Sequence, residues 1–317
     1  MVGAGVTGLY ASYCCGLAML RACLIEATVN PGGQCRYLYP DKRMYGVPGF
    51  ADIRARDYIE ILAAQCLPHA ACVLFEHKVL NISKDSDGLF EIATDQSTIT
   101  AKYIILATGI GNVVPNIPAS IQGLDKLDNS SDFVQFYCIN MNLFDGKDVI
   151  IAGGGDSAVD FAIELVRISR RVTLIHRRAE FTCEPSKVAI LRHLAESNKL
   201  TLKTNANITG LEESEGCRTV LVNENSSDII ETLRTDHVIF CYGFSTQQSI
   251  IPGLTAMGLY ESNGAIGINI ETMETSISNC YAAGDVVTYL SKKKNIVPCF
   301  FEADRAVRSI KSKMDLV

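Results

Sequence analysis

The sequence predicts an α/β protein of two domains, and three observations lead to that class. The chain has 317 residues, about twice the length of a typical single domain. Its 48% of apolar residues can fill a large core, which excludes a disordered chain. Two separate segments show the same order of features: apolar strand, glycine-rich turn, helix and second strand. This order is typical of Rossmann-like βαβ units, which bind dinucleotides at the turn.

The first unit opens with Gly3-Ala4-Gly5-Val6-Thr7-Gly8. A helix-compatible run extends to about Leu20, and an apolar strand from Ala22 to Ile25 is followed by Glu26. The first glycine permits a tight turn, the second lets the backbone approach a pyrophosphate, and the third packs the helix against the sheet. The carboxylate at the strand end is placed to accept hydrogen bonds from ribose hydroxyls of FAD or NAD. The predicted contacts are Gly3, Gly5, Gly8 and Glu26.

The second unit repeats the pattern after the apolar run 149–152. Its turn is Gly153-Gly154-Gly155-Asp156-Ser157-Ala158, and its second strand, 172–175, is followed by His176-Arg177-Arg178. Positive charge at this strand end suits the 2′-phosphate of NADPH. Either turn alone could be a plain turn, and the arginines alone a solvated strand end, but the two units together favour nucleotide binding. The predicted NADPH contacts are Gly153, Gly155, Ser157, Ala158, His176, Arg177 and Arg178.

Three further apolar strands indicate how the two units share the chain. Segments 103–109 and 238–243 end in glycine, and segment 279–285 ends in Gly284-Asp285. We interpret them as passages into and out of the first domain. The prediction is a discontinuous FAD-binding domain, residues 1–113 and 245–317, with an NADPH-binding domain, residues 114–244, inserted. Asp285 is expected to accept a hydrogen bond from a ribityl hydroxyl, with the following helix start facing the flavin.

Charge and composition exclude several other classes. Lys plus Arg number 29 and Asp plus Glu 35, a net charge of −6 that argues against nucleic-acid binding. Twelve cysteines are spread along the chain, and five histidines are scattered without metal-ligand spacing. We therefore expect free thiols, mostly small buried side chains, in a reducing compartment, and no metal site.

The N-terminal segment could be mistaken for a targeting signal. Met1 to Leu20 carries no charged residue, as a membrane span or signal peptide would. However, it contains four glycines, and no basic residues precede its apolar part. We therefore expect a cytoplasmic protein without a membrane segment.

Three motifs together resemble one family. The first is Gly32-Gly33-Gln34, continued by Leu38-Tyr39-Pro40-Asp41-Lys42 and Val47-Pro48-Gly49-Phe50. The second is the run from Gly153 to Asp160, and the third extends from Thr272-Met273-Glu274-Thr275 to Asp285. With these motifs the chain resembles the thioredoxin-reductase-like ferredoxin–NADP⁺ reductases of bacteria, flavoproteins with two dinucleotide-binding domains.

The resemblance implies a three-layer FAD domain with an inserted NADPH domain, FAD and NADPH as cofactors, and a homodimer. It implies electron transfer from NADPH through the flavin to ferredoxin or flavodoxin, with no catalytic side chain. Tyr39 would lie against the isoalloxazine ring. Val113 and Arg305 stand near the flavin, where the family has an aromatic residue and a small hydroxyl residue. The FAD contacts implied are Glu26, Gln34, Tyr39, Val79, Val113, Asp285 and Arg305.

Cysteine spacing separates this family from thioredoxin reductases, which need a Cys-x-x-Cys dithiol in the NADPH domain. The cysteines between residues 114 and 244 are far apart, and no Cys-x-x-Cys occurs in the sequence. Two alternatives stand beside a ferredoxin reductase. One is a related reductase using a quinone, a small disulfide or oxygen, of which the missing dithiol disfavours the disulfide. The other is a degenerate flavoprotein that binds nucleotides without turnover.

Several features depart from the family pattern. A strand of about 5–6 residues usually leads into such a turn, but only Met1-Val2 precedes Gly3, so we expect a start further upstream. Thr182 stands where relatives often have an arginine, which weakens the expected preference for NADPH over NADH. The chain ends at Val317 without the tail that covers one flavin face in many relatives.

Two basic features also stand out. Lys292-Lys293-Lys294 could steer an acidic ferredoxin or could be a solvated loop. Arg305 either favours an anionic reduced flavin or points to solvent.

Overall fold

The structure is a computed structural model, and it describes the chain except for residues 117, 119, 127–131, 137–139, 215, 225–228, 248–249, 262–263 and 316–317. The chain forms two compact units. The first unit contains Met1–Val114 and Thr246–Val317, and the second contains Pro115–Ser245. Each unit is described by itself.

The elements follow the chain in three stretches. The first stretch contains α1 (Val6–Leu17), β1 (Cys23–Ile25), α2 (Gln34–Tyr37), β2 (Arg43–Met44), β3 (Ile53–Arg54), α3 (Ala55–Cys66), β4 (Cys72–Leu74), β5 (Val79–Lys84), β6 (Phe90–Thr94), β7 (Thr98–Ala101), β8 (Ile104–Leu106) and β9 (Asn112–Pro115). The second contains β10 (Val134–Gln135), β11 (Asp148–Ala152), α4 (Asp156–Leu165), β12 (Arg171–His176), α5 (Pro185–Glu196), β13 (Thr201–Thr204), β14 (Ala206–Ser214), β15 (Cys217–Glu224), β16 (Ile230–Arg234) and β17 (His237–Phe240). The last contains β18 (Phe244–Gln247), α6 (Pro252–Ala256), β19 (Ile266–Gly267), β20 (Cys280–Ala282), β21 (Val287–Thr288) and α7 (Ile296–Asp315).

A parallel sheet forms the centre of the first unit. Strand β4 pairs with β1, and β8 pairs with β20, both in parallel. Val2 joins the two pairs, because it forms parallel bridges to Ile25 on one side and to Leu106 on the other. The Gly3 amide adds a 2.8 Å hydrogen bond to the Ile25 carbonyl. Residues 1–3 therefore fill the central strand position directly before the glycine turn.

Layers on both faces of this sheet complete the first unit. On one face lies the antiparallel sheet β5-β6-β7, whose buried Ile82 and Phe90 share a core with Leu106. On the other face, α1 and α7 bury Ala11 and Ala303 with the sheet residues of a second cluster. Apolar side chains alternate between the two faces of a strand, so one sheet supplies both cores. The predicted three-layer α/β architecture is confirmed.

Helix α7 begins later than the sequence suggested. We expected a helix start directly after Asp285, and this expectation is wrong. The chain first forms β21, which pairs with β19, and then turns through Ser291 at φ +67°. The helix starts only at Ile296, so Glu302 and Arg305 lie within it.

The second unit has its own parallel sheet, in the order β10-β17-β11-β12-β13. Strand β11 lies in the middle, and all five of its residues are buried. A continuous apolar strand is typical of a parallel sheet covered on both faces. Helices α4 and α5 pack on one face around Leu165 and Leu191, and the antiparallel sheet β14-β15-β16 covers the other with Val220 and Val222.

Most of the described cysteines are buried in the hydrophobic cores. Six of the eleven described cysteines are buried, and all eleven are free thiols. Burial raises the pKa of Cys280 to about 12 and that of Cys35 to about 11, so these thiols stay protonated at neutral pH.

Within the described residues, no helix is both long enough and apolar enough to cross a lipid bilayer.

Candidate functional site

The glycine turn of the first unit has no room for side chains. Gly3 adopts φ +100°, and a Cβ there would lie 2.5 Å from the Ala107 carbonyl oxygen. Gly8, in the first turns of α1, faces the Gly3 carbonyl so closely that its Cβ would lie 1.8 Å from that oxygen. The start of α1 is therefore pressed onto the strand end by direct backbone contact.

A second glycine pair, Gly32 and Gly33, packs against the glycine turn at residues 3–5. Gly32 and Gly33 both adopt positive φ, +134° and +51°, and the Gly32 amide donates a 2.9 Å hydrogen bond to the Ala4 carbonyl. A Cβ on Gly33 would lie 3.1 Å from the Gly5 Cα. Gly33 was part of the family resemblance but was not among the predicted site residues. The two facing glycine turns leave bare backbone where a pyrophosphate would lie.

The start of α1 is suited to an anion. Gly5 is its N-cap, and within the described residues no side chain caps it and no acidic residue lies in its first turn. The first N–H groups of a helix have no partner in the helix, and they carry the positive end of its dipole. A phosphate group at this position would satisfy both.

Glu26 is fixed beside this turn. Its Oε2 accepts a 2.7 Å hydrogen bond from the Ala4 amide, and its Oε1 accepts from the Thr28 amide at 3.0 Å and the Thr28 hydroxyl at 2.9 Å. A carboxylate offers about four lone-pair sites, so further hydroxyl donors can still bind. The orientation suits a vicinal diol such as a ribose.

Asp285 supplies an acceptor that lacks a partner. Its Oδ2 accepts a 3.0 Å hydrogen bond from Gln34 Nε2, although the two residues are 251 positions apart in the chain. Its Oδ1 is buried and makes no hydrogen bond to the described residues. A buried carboxylate oxygen without a donor is costly, and a ligand hydroxyl at this position would satisfy it.

The remaining predicted contacts of the first unit have other neighbours. The Tyr39 hydroxyl lies 3.9 Å from Cys35 Sγ, and burial raises the pKa of this phenol, so it stays neutral. Val79 begins β5 and packs against the core between the sheets. Arg305 donates a 2.9 Å hydrogen bond to the Glu271 carbonyl and lies 4.9 Å from the Phe301 ring centre. The side chain of Val113 lies outside the described residues.

A buried ion pair lies behind the Asp285 turn. Glu302 is only 1% exposed, and its carboxylate accepts hydrogen bonds from the Gly284 amide, the Tyr289 hydroxyl and Lys292 Nζ. The Lys292 side chain is 5% exposed, whereas Lys293 and Lys294 are exposed. The expectation that all three lysines are available to a partner is therefore wrong for Lys292. The Lys292 charge is neutralised by Glu302 beneath the Gly284-Asp285 turn.

We expect Lys292→Met to destabilise the protein by about 3 kcal/mol, because it leaves the Glu302 carboxylate buried without its cation. The matched control is the double variant Lys293→Met/Lys294→Met, which should change stability by less than about 0.5 kcal/mol. Urea midpoints of the three proteins measure the difference. Equal midpoints for Lys292→Met and wild type would show that the ion pair is dispensable.

The glycine turn of the second unit is packed as closely as the first, although α4 carries Asp156 in its first turn. Gly153 adopts φ +151°, and a Cβ there would lie 2.6 Å from the Cys241 carbonyl oxygen and 3.0 Å from the Ala158 Cβ. Gly155 is the N-cap of α4, which no side chain of the described residues caps. Ser157 is exposed beside it, and Ala158 is fully buried. This turn also presents free N–H groups to an anion.

The buried His176 ring packs against the glycine turn of the second unit. The ring is buried against Gly154, where a Cβ would lie 2.2 Å from it, and Nε2 donates a 3.0 Å hydrogen bond to the Glu180 carbonyl. The ring also stacks on Phe181 at 5.1 Å. Thr182 returns to the turn and donates to the Gly154 carbonyl from its amide at 2.8 Å. His176 and Thr182 thus brace the loop that presents the exposed Arg177 and Arg178.

Burial lowers the pKa of His176 below its usual value, and the charges of Arg178 and Arg177 lower it further, against the Glu180 hydrogen bond. As pH falls, the unfolded chain therefore protonates this histidine before the folded chain does. The contribution of His176 to the free energy of unfolding is present above pH about 6.5 and is lost as pH falls below it. We expect His176→Gln, which keeps a donor but does not titrate, to show a smaller loss of urea midpoint between pH 7 and 5 than wild type. The exposed-site control His69→Gln should follow wild type, and parallel curves for all three proteins would contradict the assignment.

Two comparisons with known sequences place the chain among relatives. The family model described as pyridine nucleotide-disulphide oxidoreductase matches residues 1–308. A protein of Halalkalibacterium halodurans named ferredoxin–NADP reductase is 35% identical over 315 residues, covering 99% of this chain and 92% of the relative. A protein of the same name from Rickettsia rickettsii (strain Iowa) is 35% identical over 320 residues, with 99% and 91% covered.

Solved structures agree in fold. The thioredoxin reductase of T. acidophilum superposes with a TM-score of 0.81 at 22% identity, covering 99% of this chain and 97% of that one. The thioredoxin reductase of Lactococcus lactis gives 0.78 at 20% identity with the same coverage. At these identities the likeness shows a thioredoxin-reductase-like fold. Together with the sequence matches, it shows that the chain belongs to the pyridine nucleotide-disulphide oxidoreductase family, among relatives named ferredoxin–NADP reductase.

Proposed function

We propose that the protein is an FAD-dependent reductase that passes electrons from NADPH to ferredoxin or flavodoxin, as a ferredoxin–NADP⁺ reductase. One observation carries the proposal: each of two closely packed glycine turns lies beside a strand end, and these two strand ends carry opposite charge. The first has the fixed carboxylate of Glu26 at its strand end, and the second has the exposed pair Arg177 and Arg178. A dinucleotide without a 2′-phosphate suits the first, and one with it suits the second. The names of the relatives support the acceptor.

The first unit fits FAD. The glycine turn Gly3, Gly5 and Gly8 with the α1 N-terminus would hold the pyrophosphate, and Glu26 would hold the adenosine ribose. The unpartnered Asp285 Oδ1 would accept from a ribityl hydroxyl, with Gln34 fixing the carboxylate on its other side. We assign the flavin ring to the neighbourhood of Tyr39, and we keep Val79 and Arg305 as FAD contacts on the family resemblance.

The second unit fits NADPH. Gly153, Gly155, Ser157 and the start of α4 would bind the pyrophosphate, with Ala158 packing beneath. Arg177 and Arg178 would bind the 2′-phosphate by charge-assisted hydrogen bonds, while His176 keeps their loop on the turn. The division into the two compact units supports an FAD domain of residues 1–113 and 245–317 and an NADPH domain of residues 114–244.

Bound FAD would supply the chemistry, since a flavin accepts two electrons from a nicotinamide and can release them singly. The described side chains around Asp285 contribute binding and orientation. Gln34 fixes the Asp285 carboxylate, and Tyr39 stays neutral because burial raises its pKa. Cys35 also stays protonated, with its pKa raised to about 11 by burial. No side chain is needed as an acid or base.

A coupled assay tests the acceptor. NADPH-dependent reduction of cytochrome c should require added ferredoxin or flavodoxin and should stop without them. A different result would be rapid oxidation of NADPH by oxygen or by a quinone, with no response to ferredoxin or flavodoxin. It would show that the electron acceptor is another molecule, and it would leave the proposed nucleotide sites unchanged. We further propose a homodimer working in the cytoplasm, on the family resemblance, and sedimentation velocity would distinguish the dimer from a monomer.

The exposed Lys293 and Lys294 are candidates for steering an acidic ferredoxin. We expect Lys293→Glu/Lys294→Glu to slow ferredoxin reduction about 5-fold at low ionic strength and to approach wild type at high salt. Lys147→Glu/Lys199→Glu, also exposed, makes the same change in net charge in the second unit. Equal slowing by both variants would indicate net charge rather than a docking position, and no slowing would exclude steering by this loop.

A further inference from the structure

Two cysteines face each other at the edge of the first unit's parallel sheet. Cys23 in β1 and Cys72 in β4 are direct partners in the parallel register, and their Sγ atoms lie 2.7 Å apart. Neighbouring strands are about 4.8 Å apart, which falls within the Cα separation of about 4.4–6.8 Å that a disulfide spans. These two thiols can therefore be joined without moving the backbone.

The two thiols differ in accessibility. Cys72 is exposed on the edge strand β4, and Cys23 is half-buried on the neighbouring strand β1. Burial and the contact with Cys72 raise the pKa of Cys23 to about 12, so Cys23 is held as a thiol. An oxidant from solvent thus meets Cys72 first, and Cys23 is in place to react second. Cys14 and Cys35, by contrast, are buried in the cores.

We propose that Cys23 and Cys72 form a reversible disulfide. A hydroperoxide oxidises the Cys72 thiol to a sulfenic acid and is itself reduced, releasing water or an alcohol. The Cys23 thiol then gives its proton to the sulfenic hydroxyl as its sulfur attacks the Cys72 sulfur, so that the S–S bond forms, the S–O bond breaks and water leaves. In total the two thiols lose two electrons and two protons. A dithiol reductant returns them by thiol–disulfide exchange.

The cross-link encloses much of the candidate nucleotide site. The loop from Cys23 to Cys72 contains Glu26, the Gly32-Gly33 turn and Gln34, and closing a loop of this length restricts the unfolded chain. Oxidation should therefore raise the melting temperature by about 5–10 °C. Slower loss of FAD on oxidation also follows, and this consequence rests on the proposed function.

Peptide mapping of the whole protein tests the disulfide directly. The wild type is treated with a small excess of hydrogen peroxide, its free thiols are alkylated, and it is digested without reduction. We expect one cross-link between the peptides that carry Cys23 and Cys72, with fragmentation distinguishing them from Cys35 and Cys66, and its loss after dithiothreitol. Full alkylation of both residues after oxidation, or a Cys72 sulfinic acid without the cross-link, would overturn the proposal.

Two variants control the stability effect. Cys72→Ser should lose the oxidation-dependent rise in melting temperature, whereas Cys217→Ser, which removes a half-buried cysteine of the second unit, should keep it. The same rise in Cys72→Ser would assign the effect to another residue and overturn the link to this pair. FAD release is measured separately. Equal release of FAD from oxidised and reduced protein would reject only the consequence for FAD binding. Absence of flavin in both forms would reject the proposed function, and the peptide map would still decide whether the disulfide forms.

Discussion

Replacing Gly8 by alanine should remove bound FAD from the purified protein and lower its melting temperature, although alanine is the better helix former by about 1 kcal/mol. The reason is steric. A Cβ at this position would lie 1.8 Å from the Gly3 carbonyl oxygen, which belongs to the backbone and cannot rotate away. Helix α1 would have to move off the strand end, and its N–H groups would leave the place where the pyrophosphate binds. Flavin content per chain and thermal unfolding measure the two effects.

The matched control is Gly46→Ala, because a Cβ on Gly46 would meet no atom of the described residues within 4 Å and its φ is not positive. This variant should retain FAD and unfold like wild type. A Gly8→Ala protein with a full complement of FAD would show that the contact between α1 and the glycine turn is not needed for binding.

Removing the two arginines of the second unit should change nucleotide preference. Arg177→Ala/Arg178→Ala is expected to lower kcat/KM for NADPH about 100-fold, as loss of about 3 kcal/mol of charge-assisted hydrogen bonds to the 2′-phosphate predicts. The value for NADH should change less than about 3-fold, since NADH has no phosphate there. Thr182 makes no competing contribution, because it is turned to the Gly154 carbonyl.

Arg234→Ala is the control for this pair. Arg234 is exposed on β16 of the same unit, and its loss should leave both nucleotides unaffected. An equal fall with NADPH and NADH in the double variant would mean that the arginines support the loop rather than bind the phosphate.

The sequence was most informative where chemistry lies within a short segment. The two glycine turns, the carboxylate of Glu26 and the pair Arg177-Arg178 each follow from one βαβ pattern, and so does the α/β class. In such segments the local geometry determines the residue type, because only glycine permits the close backbone contacts at Gly3 and Gly153.

Contacts between distant segments could not be predicted. Gln34 and Asp285 are 251 positions apart, and neither sequence neighbourhood shows that one holds the other. The Lys292–Glu302 pair was missed because a run of three lysines is usually a solvated loop. A signal did exist, since Glu302 follows Cys299 by three positions on the apolar face of α7, where a charge needs a buried partner.

Two nucleotide sites of different specificity are proposed to serve one bound flavin. The most direct test is the visible spectrum of the purified protein, recorded anaerobically while NADPH or NADH is added. We expect a bound-flavin band that NADPH bleaches much faster than NADH. A flavin band that neither nucleotide bleaches, or one that NADH bleaches faster, would contradict it.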